Sequence, residues 1–209
     1  VSTKIKNKSN KILKNISINY VELDENQNKI STKQVPVEIS LKRDEKALIK
    51  IIPQNYTYTI DIIGYSYETE DYNVNVDLNE NTANIEKLSN LEEKQKELED
   101  MLKYDILEIY DFKGIDDTSY KVKIKNNSQK NLGNIILKVA EKNSDGEYIS
   151  VSNISNNSTL KAKDFSALML NSTDKENTLE IIGYTYDDIE NKSNIDIDLK
   201  TNTASIVRN

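Results

Sequence analysis

The chain has 209 residues, 36% of them hydrophobic, carries a net charge of −7 and contains neither cysteine nor histidine. That length accommodates one large domain or two of about 100 residues each, and the low apolar share predicts small cores. The composition excludes a disulfide framework, a thiolate metal site and a thiol nucleophile, and the interspersed charge argues against a sequence-independent grip on nucleic acid.

From the N-terminus, the organising feature is a repeat with an offset of 119 residues. Ile5-Lys6-Asn7 followed by Ser9 matches Ile124-Lys125-Asn126 followed by Ser128, and Leu13, Asn15 and Ile16 match Leu132, Asn134 and Ile135. The same offset carries Ile30-Ser31 onto Ile149-Ser150, Leu41-Lys42 onto Leu160-Lys161 and Ile62-Ile63-Gly64-Tyr65 onto Ile181-Ile182-Gly183-Tyr184, with Tyr67 on Tyr186. After a two-residue insertion, Asp77-Leu78 matches Asp198-Leu199, and Asn81-Thr82-Ala83 matches Asn202-Thr203-Ala204. Each copy has a period of two. Tyr120, Val122 and Ile124 share one face of a run, as do Ile135, Leu137 and Val139, and later Ile195, Ile197 and Leu199, which predicts half-buried strands. Asp24-Glu25-Asn26-Gln27-Asn28 in copy one and Asn143-Ser144-Asp145-Gly146 in copy two fall where the chain must reverse, and both accept left-handed backbone.

Ser89-Asn90-Leu91-Glu92 has the spacing of a capping box, so a helix is predicted to start there and run through about Lys103. Leu88, Leu91, Leu98 and Leu102 give it one narrow apolar stripe. Two readings of the stripe are open: packing on one of the β domains, or weak dimerisation through the 89–103 helix. Three to four turns are marginal as an isolated coiled coil.

After the helix, Leu107, Ile109 and Phe112 predict an opening strand of copy two, closed by a turn at Gly114 and Asp116-Asp117. Copy one has no equivalent. Either that strand belongs to residues preceding Val1, or an unpaired edge is left that recruits a partner strand. Val1 in place of Met predicts that a signal, anchor or further domain precedes these residues.

Runs bounded by polar turns number about seven per copy, the pattern of an antiparallel sandwich. The predicted fold class is mainly β: two tandem immunoglobulin-like antiparallel β-sandwich domains, 1–86 and 105–209, joined by a short α-helix in 87–104. The likeness is architectural, because the Cys pair and Trp of true immunoglobulin domains are absent. A short strand, Asn and Ser, then Leu-x-Asn-Ile, an alternating strand and an acidic turn together resemble the FxLYD-type domains of bacterial envelope proteins. Asn7, Ser9, Leu13, Asn15 and Ile16 carry the resemblance, with Asn126, Ser128, Leu132, Asn134 and Ile135 in the second copy. At the place of the naming motif, Tyr20-Val21-Glu22-Leu23-Asp24 fits it loosely and Val139-Ala140-Glu141-Lys142-Asn143 hardly does. The resemblance implies a secreted or lipid-anchored accessory module without catalysis of its own, and it transfers no active-site residues.

Without His or Cys, catalysis would have to use carboxylates. Asp187-Asp188, Asp116-Asp117 and Glu92-Glu93 are adjacent pairs, whose side chains diverge on a strand or a helix, so no pair is marked as converging. Asp24-x-Asn26-x-Asn28 imitates the start of a calcium loop, but Lys29 and Val35 stand where that loop needs Gly and a bidentate Glu. No metal site and no cofactor is predicted.

Gly64-Tyr65-Ser66-Tyr67 and Gly183-Tyr184-Thr185-Tyr186 are the candidate binding residues, since each pair of tyrosines shares one strand face. Tyrosines so placed either pack at the edge of a core or form a binding face for protein or glycan, and their exposure separates the two. The functional expectation is a non-catalytic extracytoplasmic spacer or binding scaffold. The alternatives are a carboxylate-dependent hydrolase of envelope polymers and a cytoplasmic adaptor that dimerises through the helix. Abundant Asn, Lys and Ile without cysteine resembles the surface proteins of AT-rich Gram-positive bacteria, which places the chain outside the cell or on its surface. No run of the ~20 apolar residues needed to cross a bilayer is present.

Overall fold

A computed structural model describes residues 1–89 and 91–208, with only the backbone of Leu91. The chain is mainly β with one helix, and its sheets are dominated by antiparallel pairing, consistent with a β-sandwich. It divides into two compact units, Val1–Asn90 with Gly146–Ile149 and Leu91–Asp145 with Ser150–Asn209.

In the first unit, the strands are β1 (Ser2–Lys6), β2 (Lys14–Leu23), β3 (Lys29–Pro36), β4 (Lys46–Lys50), β5 (Thr59–Glu68), β6 (Tyr72–Asp77) and β7 (Thr82–Lys87). One sheet has the order β3-β2-β5-β6-β7, and β1 ladders antiparallel on β4. Alternation along β2 buries Ile16, Ile18 and Tyr20. Leu13 and Leu41 join the layers through an isolated bridge.

The second unit begins with helix α1 (Leu91–Tyr104), followed by β8 (Leu107–Gly114), β9 (Ser119–Asn126) and β10 (Leu132–Lys142). Then come β11 (Glu147–Asn156), β12 (Phe165–Asn171), β13 (Thr178–Asp188), β14 (Ser193–Asp198) and β15 (Thr203–Arg208). A β11-β10-β13-β14-β15 sheet and a β12-β9-β8 sheet enclose a core that includes Val122, Ile124, Leu137, Tyr186 and Ile197. The opening strand expected from Leu107, Ile109 and Phe112 is β8, and Asp116 closes its turn by accepting from the Thr118 and Ser119 amides.

Helix α1 groups with the second unit. Its packing face differs from the expected stripe. Met101 is buried in the second unit's core and Lys94, Glu97 and Tyr104 lie half-buried on the same side, whereas Leu98 and Leu102 are 45% and 75% exposed. Heptad spacing picked the leucines, but the chain leaving α1 through Asp105 to β8 orients the Met101 face inward. The capping box includes Asn90, which lies outside the described residues, as does the Leu91 side chain.

The residues that recur at the offset do the same local work. Asn7 is buried and its Nδ2 donates to the carbonyls of Lys11 and Leu41, while its Oδ1 accepts from the Ser9 amide and hydroxyl. Asn126 donates to the carbonyls of Lys130 and Leu160 and accepts from Ser128 in the same way. Asn15 and Asn134 take φ of 47° and 43° at register shifts in β2 and β10. Gly64 and Gly183 face the carbonyls of Val76 and Ile197, where a Cβ would sit 2.4 and 2.5 Å from oxygen.

Candidate functional site

Tyr65 and Tyr67 stack with ring centroids 6.3 Å apart, and so do Tyr184 and Tyr186. Strand alternation puts each pair on one face, and β5 and β13 set them against matching neighbours, Ile18 and Val76 beside Tyr65, Leu137 and Ile197 beside Tyr184. What covers them differs. In the second unit, the segment joining α1 to β8 lies over the pair. The Tyr184 hydroxyl donates to Asp105 and the Tyr186 hydroxyl to the Tyr104 carbonyl, leaving the residues 1% and 0% exposed. Burial raises both phenols well above the ordinary tyrosine value, reinforced at Tyr184 by its bond to Asp105 and at Tyr186 by the charge of Asp188. The expectation of a binding face is therefore corrected for Tyr184 and Tyr186, which are core residues with satisfied hydroxyls.

In the first unit, no such segment lies over the pair among the described residues. Tyr65 and Tyr67 are half-buried, and among the described residues neither hydroxyl has a hydrogen-bond partner. They form one wall of a groove of about 430 Å³, whose remaining lining includes Ile5, Asn7, Ile16 and Ile18. Desolvation raises the Tyr67 phenol, with a smaller contribution from Tyr65. The lining combines apolar side chains with the two tyrosines, a composition that suits recognition. Lys6 and Lys8 supply positive charge beside it, Lys6 being held 2.8 Å from Asp44. Periodicity marked the tyrosines, but Ile5, Ile16 and Ile18 carried no sign of a groove, since the same residue types at the same offset are sealed in the second unit.

Carboxylates elsewhere hold neighbouring side chains and turns in place. Asp187 accepts from Asn134 and Asn194, and the buried Asp188 accepts from Lys130 and Asn191. Asp24 accepts from the amides of Asn26 and Asn28, so the calcium-like stretch is a hairpin turn, and Gly146 closes the other hairpin at φ +72°. Glu92 and Glu93 are exposed in the first turn of α1. No group of three or more Asp and Glu that could hold a metal occurs among the described residues. Among the carboxylates that spacing did not single out, Glu22 and Glu141 are buried. Glu22 accepts from Lys33, the Gln54 amide and Ser31. Glu141 accepts from Asn177, Thr173 and Ser150.

No family model matches the chain and no curated protein matches it. Among solved structures, it is similar to red sea bream transglutaminase over 90% of its length at 9% identity and a TM-score of 0.27. It is also similar to the exo-chitosanase of Amycolatopsis orientalis over its whole length at 13% identity and a TM-score of 0.24. A Bacteroides uniformis β-glucuronidase aligns over 98% of it at 11% identity and a TM-score of 0.22. The chain spans about a quarter of each of these proteins: 26%, 25% and 25%.

Proposed function

We propose that the chain is a non-catalytic module of two tandem immunoglobulin-like β-sandwich domains, descended from one duplicated unit of FxLYD type. It acts as a binding scaffold or spacer in a bacterial envelope or surface protein. The observation that carries this reading is the contrast between two otherwise matching tyrosine pairs. One is sealed by the segment joining α1 to β8, while the other lines a groove, and among the described residues its hydroxyls have no hydrogen-bond partner. A side chain kept only for packing gains from being sealed, whereas an open, rigid aromatic pair supplies contact area at low entropic cost. The shared Asn-x-Ser corners at Asn7 and Asn126 support the FxLYD likeness, because the residues that carry it are the ones whose hydrogen bonds shape both units.

The test is binding of the full chain to purified wall polymers and to extracted surface proteins, alongside the Tyr65→Ser, Tyr67→Ser double variant. Binding about tenfold weaker in the variant, with Tyr184→Phe unchanged, is the expected result. Retention of all binding by the double variant would sink the groove as the binding face.

A further inference from the structure

A strand at the edge of a sheet presents a row of backbone donors and acceptors to any strand that can pair with it, and charge, proline or a bulge commonly blunts it. Several edges of this chain are blunted in that way. β3 carries Lys33 and ends on Pro36, and β7 carries Glu86 and Lys87. β8 is charged and is interrupted by a register shift at Asp111, whose φ is 54°, and β15 ends on Arg208. β12 has none of these devices. Its seven residues, Phe165 to Asn171, contain no charge, proline or glycine, and they ladder on β9 without a shift, from Phe165 opposite Lys125 to Asn171 opposite Ser119. Among the described residues β9 is the only strand paired with β12, which ends the sheet. Alternation turns Leu168 and Leu170 into the core of the second unit and Phe165, Ala167 and Met169 outward, where Phe165 is 65% and Met169 52% exposed.

We propose that this edge joins a second copy of the chain, β12 against β12, antiparallel and centred on Leu168, so that the two β12-β9-β8 sheets become one continuous sheet. The site is separate from the Tyr65–Tyr67 groove and stands independently of it. The sequence of β12 favours its own copy as the occupant. With Leu168 on the twofold axis, Phe165 falls opposite Asn171 of the second copy, Ser166 opposite Leu170 and Ala167 opposite Met169. On either side of the axis each large side chain meets a smaller one, and no charge on β12 is set against its like. The lysines stand one strand back, on β9, where Lys123 lies 2.7 Å from Asp111 and Lys125 lies 4.0 Å from Glu108. The contact also closes on itself. A twofold pairing uses β12 of both copies, and the far edge of the joined sheet is the bulged and charged β8, which stops further growth.

The test is sedimentation equilibrium of the full chain from low micromolar to millimolar concentration. A monomer–dimer equilibrium without larger species is expected. Within the sheet Ala167 lies opposite Lys123 and Met169 opposite Lys121, so the Ala167→Glu, Met169→Glu double variant is compatible with the fold. Across the twofold axis it sets like charges opposite one another, and the dissociation constant of the dimer should rise about tenfold or more. The Ala167→Lys, Met169→Glu variant sets opposite charges across the same pairs and should restore the constant to within about threefold of the original. Parallel pairing would place each position opposite itself and give no rescue, so the rescue reports the register as well as the contact. Circular dichroism of each variant separates loss of pairing from loss of fold. A chain that stays monomeric at every concentration overturns the proposal. So does a dimer indifferent to the double glutamate variant, which would be joined elsewhere. Loss without rescue overturns the antiparallel register, and species that keep growing with concentration overturn the closed pair.

Discussion

Glu22 and Glu141 sit inside sheets, and donors keep them ionised there. Burial alone would push each carboxyl upward, yet the bonds from Lys33, Gln54 and Ser31 to Glu22, and from Asn177, Thr173 and Ser150 to Glu141, outweigh it and hold both below the ordinary value of 4.5. A carboxyl whose folded value is depressed stabilises the fold above its unfolded value, and that contribution is lost as pH falls through the folded one. Urea midpoints should therefore fall from about pH 5 downward, with a shallower slope in Glu141→Gln. At neutral pH, Glu141→Gln should cost about 1–3 kcal/mol in urea denaturation, because the new amide confronts donors that had an acceptor. An unchanged midpoint would mean that those donors find water instead. Neither glutamate was singled out by its spacing, since an acidic residue in a polar turn-flanking run reads as surface until the donors are placed.

Among the elements, α1 shows most directly how a pattern misleads. Leu98 and Leu102 fit a heptad, but Met101 fills the core, and the free energy follows the buried side chain. Met101→Ala should cost about 2–5 kcal/mol, while Leu102→Ala should stay within about 0.5 kcal/mol. Chemical denaturation checks both, and equal losses would restore the leucine stripe as the packing face. The strands were more legible, because period two leaves little choice of face. The register shifts opposite Gly64 and Gly183 were signalled by glycine within a strand, and the near-contacts with the Val76 and Ile197 carbonyls give the reason.

At the scale of the molecule, the two units differ in how completely they are closed. The second buries Leu132, Ile135, Leu137, Tyr186, Ile195 and Ile197 to 0% exposure, whereas Ile5 and both groove tyrosines in the first remain half-buried. Less apolar burial leaves less free energy against opening. Hydrogen exchange read by mass spectrometry should accordingly find amides of β1 exchanging before those of β9, and the reverse order would contradict this difference in burial. By itself, the sequence determined the mainly β class, the offset of matching residues, the hairpin turns and the extra opening strand before Ser119. These are local: each follows from alternation or from backbone preference within a few residues. Only the tertiary structure decided which tyrosines are sealed, which helix face packs and which carboxylates are buried. The two tyrosine segments are nearly the same words, and what separates them is whether residues far off in the chain, Tyr104 to Leu107, lie across them.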